Sequence, residues 1–61
     1  MNFIELTDEN NNPLLINLEH VTVISPNDTG SILLFDEGSH AKVRESFGTI
    51  QWTVDWRMKN A

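Results

Sequence analysis

Clusters of turn-forming residues divide the first 45 residues of this sequence into short segments. They read DENNNP at 8–13, PNDTG at 26–30 and DEGS at 36–39. Asn and Asp tolerate left-handed backbone and hydrogen-bond to their own turns, while Pro13 has no amide hydrogen for the middle of a sheet. The turns recur at the spacing of roughly 8–12 residues that is typical of an antiparallel meander.

The segments between these turns are apolar and rich in β-branched residues, which favours strands. We predict five strands, at residues 2–7, 14–18, 21–25, 31–35 and 40–44. Leu18-Glu19-His20, between the second and third strands, is predicted to be a tight turn. The predicted fold class is therefore β+α: a small antiparallel five-stranded meander, forming a partly open barrel, followed by one C-terminal helix.

The stretch SFGTIQWTVDW, residues 46–56, fits the period of a strand or of a helix. Strand alternation would bury both tryptophans, Trp52 and Trp56, on one face. Helical spacing turns both indoles outward and gives an inner stripe of residues at i, i+3, i+7 and i+11: Phe47, Ile50, Val54 and Met58. Ser46 is a good helix N-cap, whereas Gly48 and the β-branched residues oppose a helix, so the local evidence is even.

A pattern spread over residues 3–50 is shared with a known family. It consists of Leu6-Thr7, Asn11-Asn12, Ile16-Asn17, Val21 and Ile24, Pro26 with Asp28-Thr29, Ile32 and Leu34, Gly38, Val43-Arg44-Glu45-Ser46, and Ile50. In these residues the chain resembles the small FlbD/SwrD-type flagellar and swarming motility proteins and related uncharacterised phage-type small proteins. The resemblance implies five strands and a helix, and it favours a helix at residues 46–58.

The chain also departs from that family at several positions. Asn12 stands where the family has glycine, and Pro26 lies one residue further from Asp28-Thr29 than in the family. Gly48 and the two tryptophans replace a charged helical tail. These departures argue against a flagellar role and leave the resemblance as a statement about architecture.

Length and cysteine content limit how the chain can be stabilised. Sixty-one residues predict one domain, residues 1–61, with no room for a second core. There is no cysteine, which excludes a disulfide framework and a thiolate metal site. The acidic start and the short apolar runs predict a cytoplasmic protein with no secretory signal and no membrane contact.

Charge is distributed unevenly along the chain. The net charge is −5, which argues against nucleic-acid binding because phosphate neutralisation needs clustered Lys and Arg. Residues 1–41 carry −7 and residues 42–61 carry +2. A polarised chain of this kind predicts a basic end that meets an anion or the acidic end of another copy, with plain solvated charge as the alternative.

Chemical motifs are weak. Residues 8–19 have the ligand spacing of a calcium loop, but Pro13 stands where the sharp turn needs glycine, so a polar hairpin turn is favoured. His20 and His40 are too few for a structural zinc site without cysteines, unless copies meet to share them. The serines lie in turns and caps, and no glycine-rich phosphate loop is present. We predict a protein that is not an enzyme and that has no cofactor and no metal.

Two functional hypotheses remain. Exposed tryptophan pairs are unusual on monomers and typical of interfaces; the alternative is that sheet or loop residues cover the two indoles. Ordering costs about 1.5 kcal/mol per residue. A chain this short therefore has almost no stability margin from its own core. The first hypothesis is a homo-oligomeric interaction or adaptor module that binds another protein. Its predicted interface residues are Phe47, Trp52, Trp56 and Met58.

The second hypothesis is an oligomeric protein, possibly phage-encoded, that binds or sequesters a small anion such as a nucleotide signal. The basic side chains would meet phosphate, and Trp52 or Trp56 would stack on the base. The predicted anion-binding residues are His40, Lys42, Arg44 and Arg57.

Overall fold

The structure, a computed structural model, describes residues 2–60. It contains five strands and one α-helix: β1 (Phe3–Thr7), β2 (Pro13–Asn17), β3 (Val21–Pro26), β4 (Ser31–Phe35), β5 (His40–Val43) and α1 (Phe47–Asn60). This confirms the β+α class, with antiparallel strands and one C-terminal helix. The predicted domain of residues 1–61 includes residues 1 and 61, which lie outside the described residues.

The strands form two sheets, so the predicted five-stranded meander and partly open barrel are wrong. β1 pairs with β2, and β3, β4 and β5 form a second sheet in that order. The segment Leu18–His20, predicted to be a tight turn, is a short 3-10 helix that separates β2 from β3. The side chain of Asn17 caps this helix by accepting a hydrogen bond from the Glu19 amide at 3.0 Å.

The two sheets meet where β1 and β5 end. A β-bridge joins Asp8 to Val43, and the Arg44 amide donates to the Thr7 carbonyl oxygen at 2.8 Å. β3 and β2 are therefore the outer strands of their sheets. An outer strand carries backbone groups that another chain can pair with.

The first hairpin turn explains the polar run of residues 8–12. The Asp8 carboxylate accepts hydrogen bonds from the amides of Asn10 and Asn12, at 2.9 and 2.8 Å. Asn11 adopts a left-handed conformation with φ of 68°. The acidic and amide side chains thus close a hairpin turn.

The core is small and draws on both sheets and the helix. Ile4 and Ile16 lie opposite each other in the β1–β2 pairing, so both point to the same face. The described core consists of six buried apolar side chains: Ile4, Leu6, Ile16, Leu33, Val43 and Ile50. Ser31 is the buried polar side chain beside them.

The helix α1 begins after Ser46, as its capping residue predicts. The Ser46 hydroxyl accepts a hydrogen bond from the Thr49 amide at 3.2 Å. Ile50 is buried and Val54 is half-buried against the core. The predicted inner position of Met58 is wrong, because this side chain is 75% exposed. The helical period predicts which side chains share a face of the helix. It does not predict whether another strand or helix covers that face along its whole length.

No helix among residues 2–60 combines the length and the apolar character needed to cross a membrane.

Candidate interaction surfaces

The first candidate surface, the tryptophan pair, consists of Trp52 and Trp56. The two residues are four apart in α1, so their side chains lie one helical turn apart on the same face. Trp52 is 67% exposed and Trp56 is 54% exposed. Ile50, which points into the core, lies on the other side of the helix. The tryptophan pair is therefore a large apolar surface in contact with water.

The second candidate surface, the apolar groove, lies between α1 and the outer strand β3. Its volume is about 330 Å³. Leu18 and residues 21–24 line one side, and three helix residues, Phe47, Gln51 and Val54, line the other, with Ile50 below. Phe47, a predicted interface residue, is 37% exposed here. Sequence reasoning missed the strand side of this groove.

The missed residues carry no local signal, because their direction depends on an irregularity in β3. Val21 pairs with Phe35 and Val23 pairs with Leu34, so two positions along β3 match one position along β4. This bulge turns residues of both strand faces toward the groove. Alternation in the sequence VTVIS predicts a regular strand and cannot reveal such a shift.

The described part of the chain exposes about as many large apolar side chains as it buries. Six apolar residues form the core. Seven large apolar residues are exposed: Leu15, Val23, Leu34, Phe47, Trp52, Trp56 and Met58. Four of the seven belong to α1, which concentrates the exposed apolar area on the helix.

The predicted anion-binding residues are spread over two elements. Lys42 and His40 are exposed on β5, and Arg44 is exposed just after it. Lys42 lines a shallow depression together with Asp28 and Glu9, and Arg44 lines another with Glu9.

Arg57, the fourth predicted anion-binding residue, lies in α1, which packs against β3. β5 is at the other edge of that sheet. The convergence of these bases on an anion stays a prediction.

Among residues 2–60, no group of three or more His, Cys, Asp or Glu side chains is placed to bind a metal ion. The calcium-loop residue Asp8 is engaged by the hairpin amides.

The exposed pair His20 and Asp36 joins the end of the 3-10 helix to the end of β4. Nδ1 of His20 lies 2.9 Å from Oδ2 of Asp36, and the Asp36 amide donates to the His20 carbonyl oxygen at 2.9 Å. The hydrogen bond to Asp36, followed by its negative charge, raises the pKa of His20 above its ordinary value of 6.5. Glu19 and Glu37 add smaller effects in the same direction.

We expect an NMR titration to show this raised pKa for His20 and to show it falling toward 6.5 in Asp36→Asn. Because the folded state binds the proton more tightly, the pair stabilises the fold fully below pH 6.5. That contribution is lost as the pH rises through the raised pKa. Both side chains are exposed, so the pair has only a small effect on stability. An unchanged His20 titration in Asp36→Asn would contradict the pairing.

Comparison of the chain with models of protein families, with curated proteins and with solved structures finds no match. The resemblance to FlbD/SwrD-type proteins therefore stays a prediction.

Proposed function

We propose that this chain is a non-enzymatic interaction module that associates with copies of itself and binds another protein. The observation that carries the proposal is the exposure of Trp52 and Trp56 on one face of α1. An indole has about 150–250 Å² to bury. At about 25 cal/mol per Å², covering both exposed rings contributes on the order of 5 kcal/mol.

The small core supports association as the use of this surface. The six buried apolar side chains of the described residues are few for ordering a chain of this length. The sequence contains no cysteine, so disulfides add nothing. Covering the tryptophan pair with another protein would supply apolar burial that the protomer lacks.

The hydroxyls of Ser31 and Ser46 support the non-enzymatic part of the proposal. The buried Ser31 hydroxyl donates to the Glu45 carbonyl oxygen at 2.8 Å. The Ser46 hydroxyl caps α1. Both hydroxyls are hydrogen-bonded to backbone groups. A catalytic nucleophile would instead need a neighbouring base and an open approach for its substrate.

Replacing both tryptophans tests self-association directly. We expect sedimentation velocity over a range of concentrations to show assembly of the native chain and a monomer for the double variant Trp52→Ser, Trp56→Ser. Tryptophans at interface centres each contribute about 2 kcal/mol or more, so loss of both should raise the dissociation constant by about 700-fold or more.

Leu15→Ser is the matched control, because Leu15 is 71% exposed on β2 and lies outside α1. This variant should assemble like the native chain. A native chain that stays monomeric and folded at every concentration would refute the self-association half of the proposal.

Binding of another protein is tested by retention on the immobilised native chain, the tryptophan double variant and Leu15→Ser. A protein partner that uses the exposed helix face is retained by the native chain and by Leu15→Ser and is lost from the double variant. Equal retention by all three would mean that the helix face is not the binding surface.

A further inference from the structure

We infer that the copies associate head to tail, with Trp52 and Trp56 of one protomer entering the apolar groove of the next. This inference rests on the proposed self-association and adds the two contacting surfaces and the symmetry. It predicts that each protomer has two neighbours, as in a ring or an open filament, and that a closed two-fold dimer does not form.

Area is the first argument, because the tryptophan pair is too small to form an interface by itself. A stable interface buries about 800 Å² on each partner, which is nearly a fifth of the 4372 Å² that the protomer exposes. At their exposures of 67% and 54%, the two indoles supply only about 300 Å². A second copy must therefore contact more than the tryptophan pair.

The apolar groove offers the missing surface. Its volume of about 330 Å³ is within the range of roughly 300–1,000 Å³ of pockets that bind small-molecule ligands. The bulge between Val21 and Val23 interrupts the edge of β3 and so disfavours an added strand. Side chains carried on a helix are then the better occupants, and two anchors at i and i+4 are the spacing that helices use in grooves.

The positions of the two surfaces on α1 give the symmetry. Each residue of a helix advances by about 100°, so Trp52 and Trp56 lie roughly 140–180° around the axis from Phe47 and Val54. The tryptophan pair and the helix wall of the groove therefore face opposite ways. A neighbour seated on one side of α1 leaves the other side for a different neighbour.

Charge complementarity favours the same arrangement. Lys59 follows Trp56 by three residues and shares its side of the helix. Glu19 follows Leu18, which lines the groove. Head-to-tail contact brings the basic end of α1 to the acidic segment beside the groove of the next protomer.

Mixing two variants, each with one surface damaged, tests the inference. Trp52→Ser, Trp56→Ser keeps the groove. Val23→Glu places a charge in the groove at a side chain that is 48% exposed, and it keeps the tryptophans. Each variant alone should be a monomer, and an equimolar mixture should form a complex of twice the 7.0 kDa chain mass.

Fluorescence gives a second readout, because the chain has two tryptophans and the double variant has none. All tryptophan emission in the mixture then comes from Val23→Glu. We expect a shift to shorter wavelength that saturates at one double variant per Val23→Glu chain. Phe47→Glu, which damages the helix wall of the groove, should behave like Val23→Glu, and far-ultraviolet circular dichroism identifies any variant that fails to fold.

The outcomes separate this inference from the proposed function. If folded Val23→Glu and Phe47→Glu each assemble like the native chain, the groove is not the acceptor and the head-to-tail inference is overturned, while self-association stands. If the native chain is a folded monomer, both fail. A complex that appears only when the two kinds of variant are mixed supports contact between the tryptophan pair and the groove. Assembly of the native chain beyond a dimer then supports the head-to-tail symmetry, and a native chain that stops at a dimer overturns it.

Discussion

Gly30→Ala is expected to lower the free energy of unfolding by at least about 3 kcal/mol. A Cβ at this position would overlap the Val43 carbonyl oxygen and would lie 2.7 Å from the carbonyl carbon of Arg44. These are backbone atoms at the end of β5, so no flexible side chain can move aside. Since a chain of 61 residues has roughly 3–9 kcal/mol of stability in total, this loss is about a third of the stability or more.

Urea denaturation followed by circular dichroism measures this loss, and Gly48→Ala is the matched control. Nothing lies within 4 Å of a Cβ built on Gly48, which is in the first turn of α1. Alanine favours a helix over glycine, so the control should be more stable than the native chain by about 0.5–1 kcal/mol. If both Gly→Ala changes shifted the free energy of unfolding in the same direction, the result would contradict the close packing around Gly30.

Local signals in the sequence predict the elements of this fold. The polar clusters at 8–13 and 26–30 form turns in which the Asp8 and Asn27 side chains accept hydrogen bonds from nearby amides; the Gly30 amide, for example, donates to Asn27 at 2.8 Å. The turn at 36–39 places Gly38 at a positive φ of 99°. Ser46 predicts where α1 begins. Each of these features depends on residues within a few positions of one another, and a single sequence contains that information.

The arrangement of the sheets depends on contacts far apart in the sequence and could not be predicted in the same way. β2 and β3, which a tight turn at residues 18–20 would pair, lie in different sheets and are joined by a 3-10 helix. The bridge between Asp8 and Val43 joins residues 35 positions apart. For the candidate site, periodicity gave the face of the two tryptophans but not the groove, because the groove needs the bulge in β3.

Glu45 shows the same contrast between local and distant contacts. Its position before α1 predicts a favourable charge near a helix start. In the structure its carboxylate accepts two hydrogen bonds from Thr7, one from the amide and one from the hydroxyl, both at 2.9 Å. These bonds connect β1 to the segment between β5 and α1 across 38 positions of sequence.

Glu45→Ala is expected to lower the free energy of unfolding by about 2–3 kcal/mol. Hydrogen bonds to a charged group contribute about 1.5–3 kcal/mol, and the change leaves a partly buried Thr7 amide without its acceptor. The loss should be local as well as global, because the Thr7 carbonyl oxygen accepts from Arg44 at the same junction. Hydrogen exchange of the Thr7 and Arg44 amides should be faster in Glu45→Ala than in the native chain. The increase should be larger for these amides than for that of Leu33 in the buried centre of β4.

Glu37→Ala removes the same charge from an exposed turn and controls for net charge in that comparison. It should change the unfolding free energy by less than about 0.5 kcal/mol. If the two variants lost the same free energy of unfolding, the effect would come from net charge, and Glu45 would not be the connection between the sheets. A large loss in Glu45→Ala alone, with faster exchange at Thr7, means that the two sheets are held together by a carboxylate as well as by the core. The helix that carries both candidate surfaces is anchored at that same point, one residue before its N-cap.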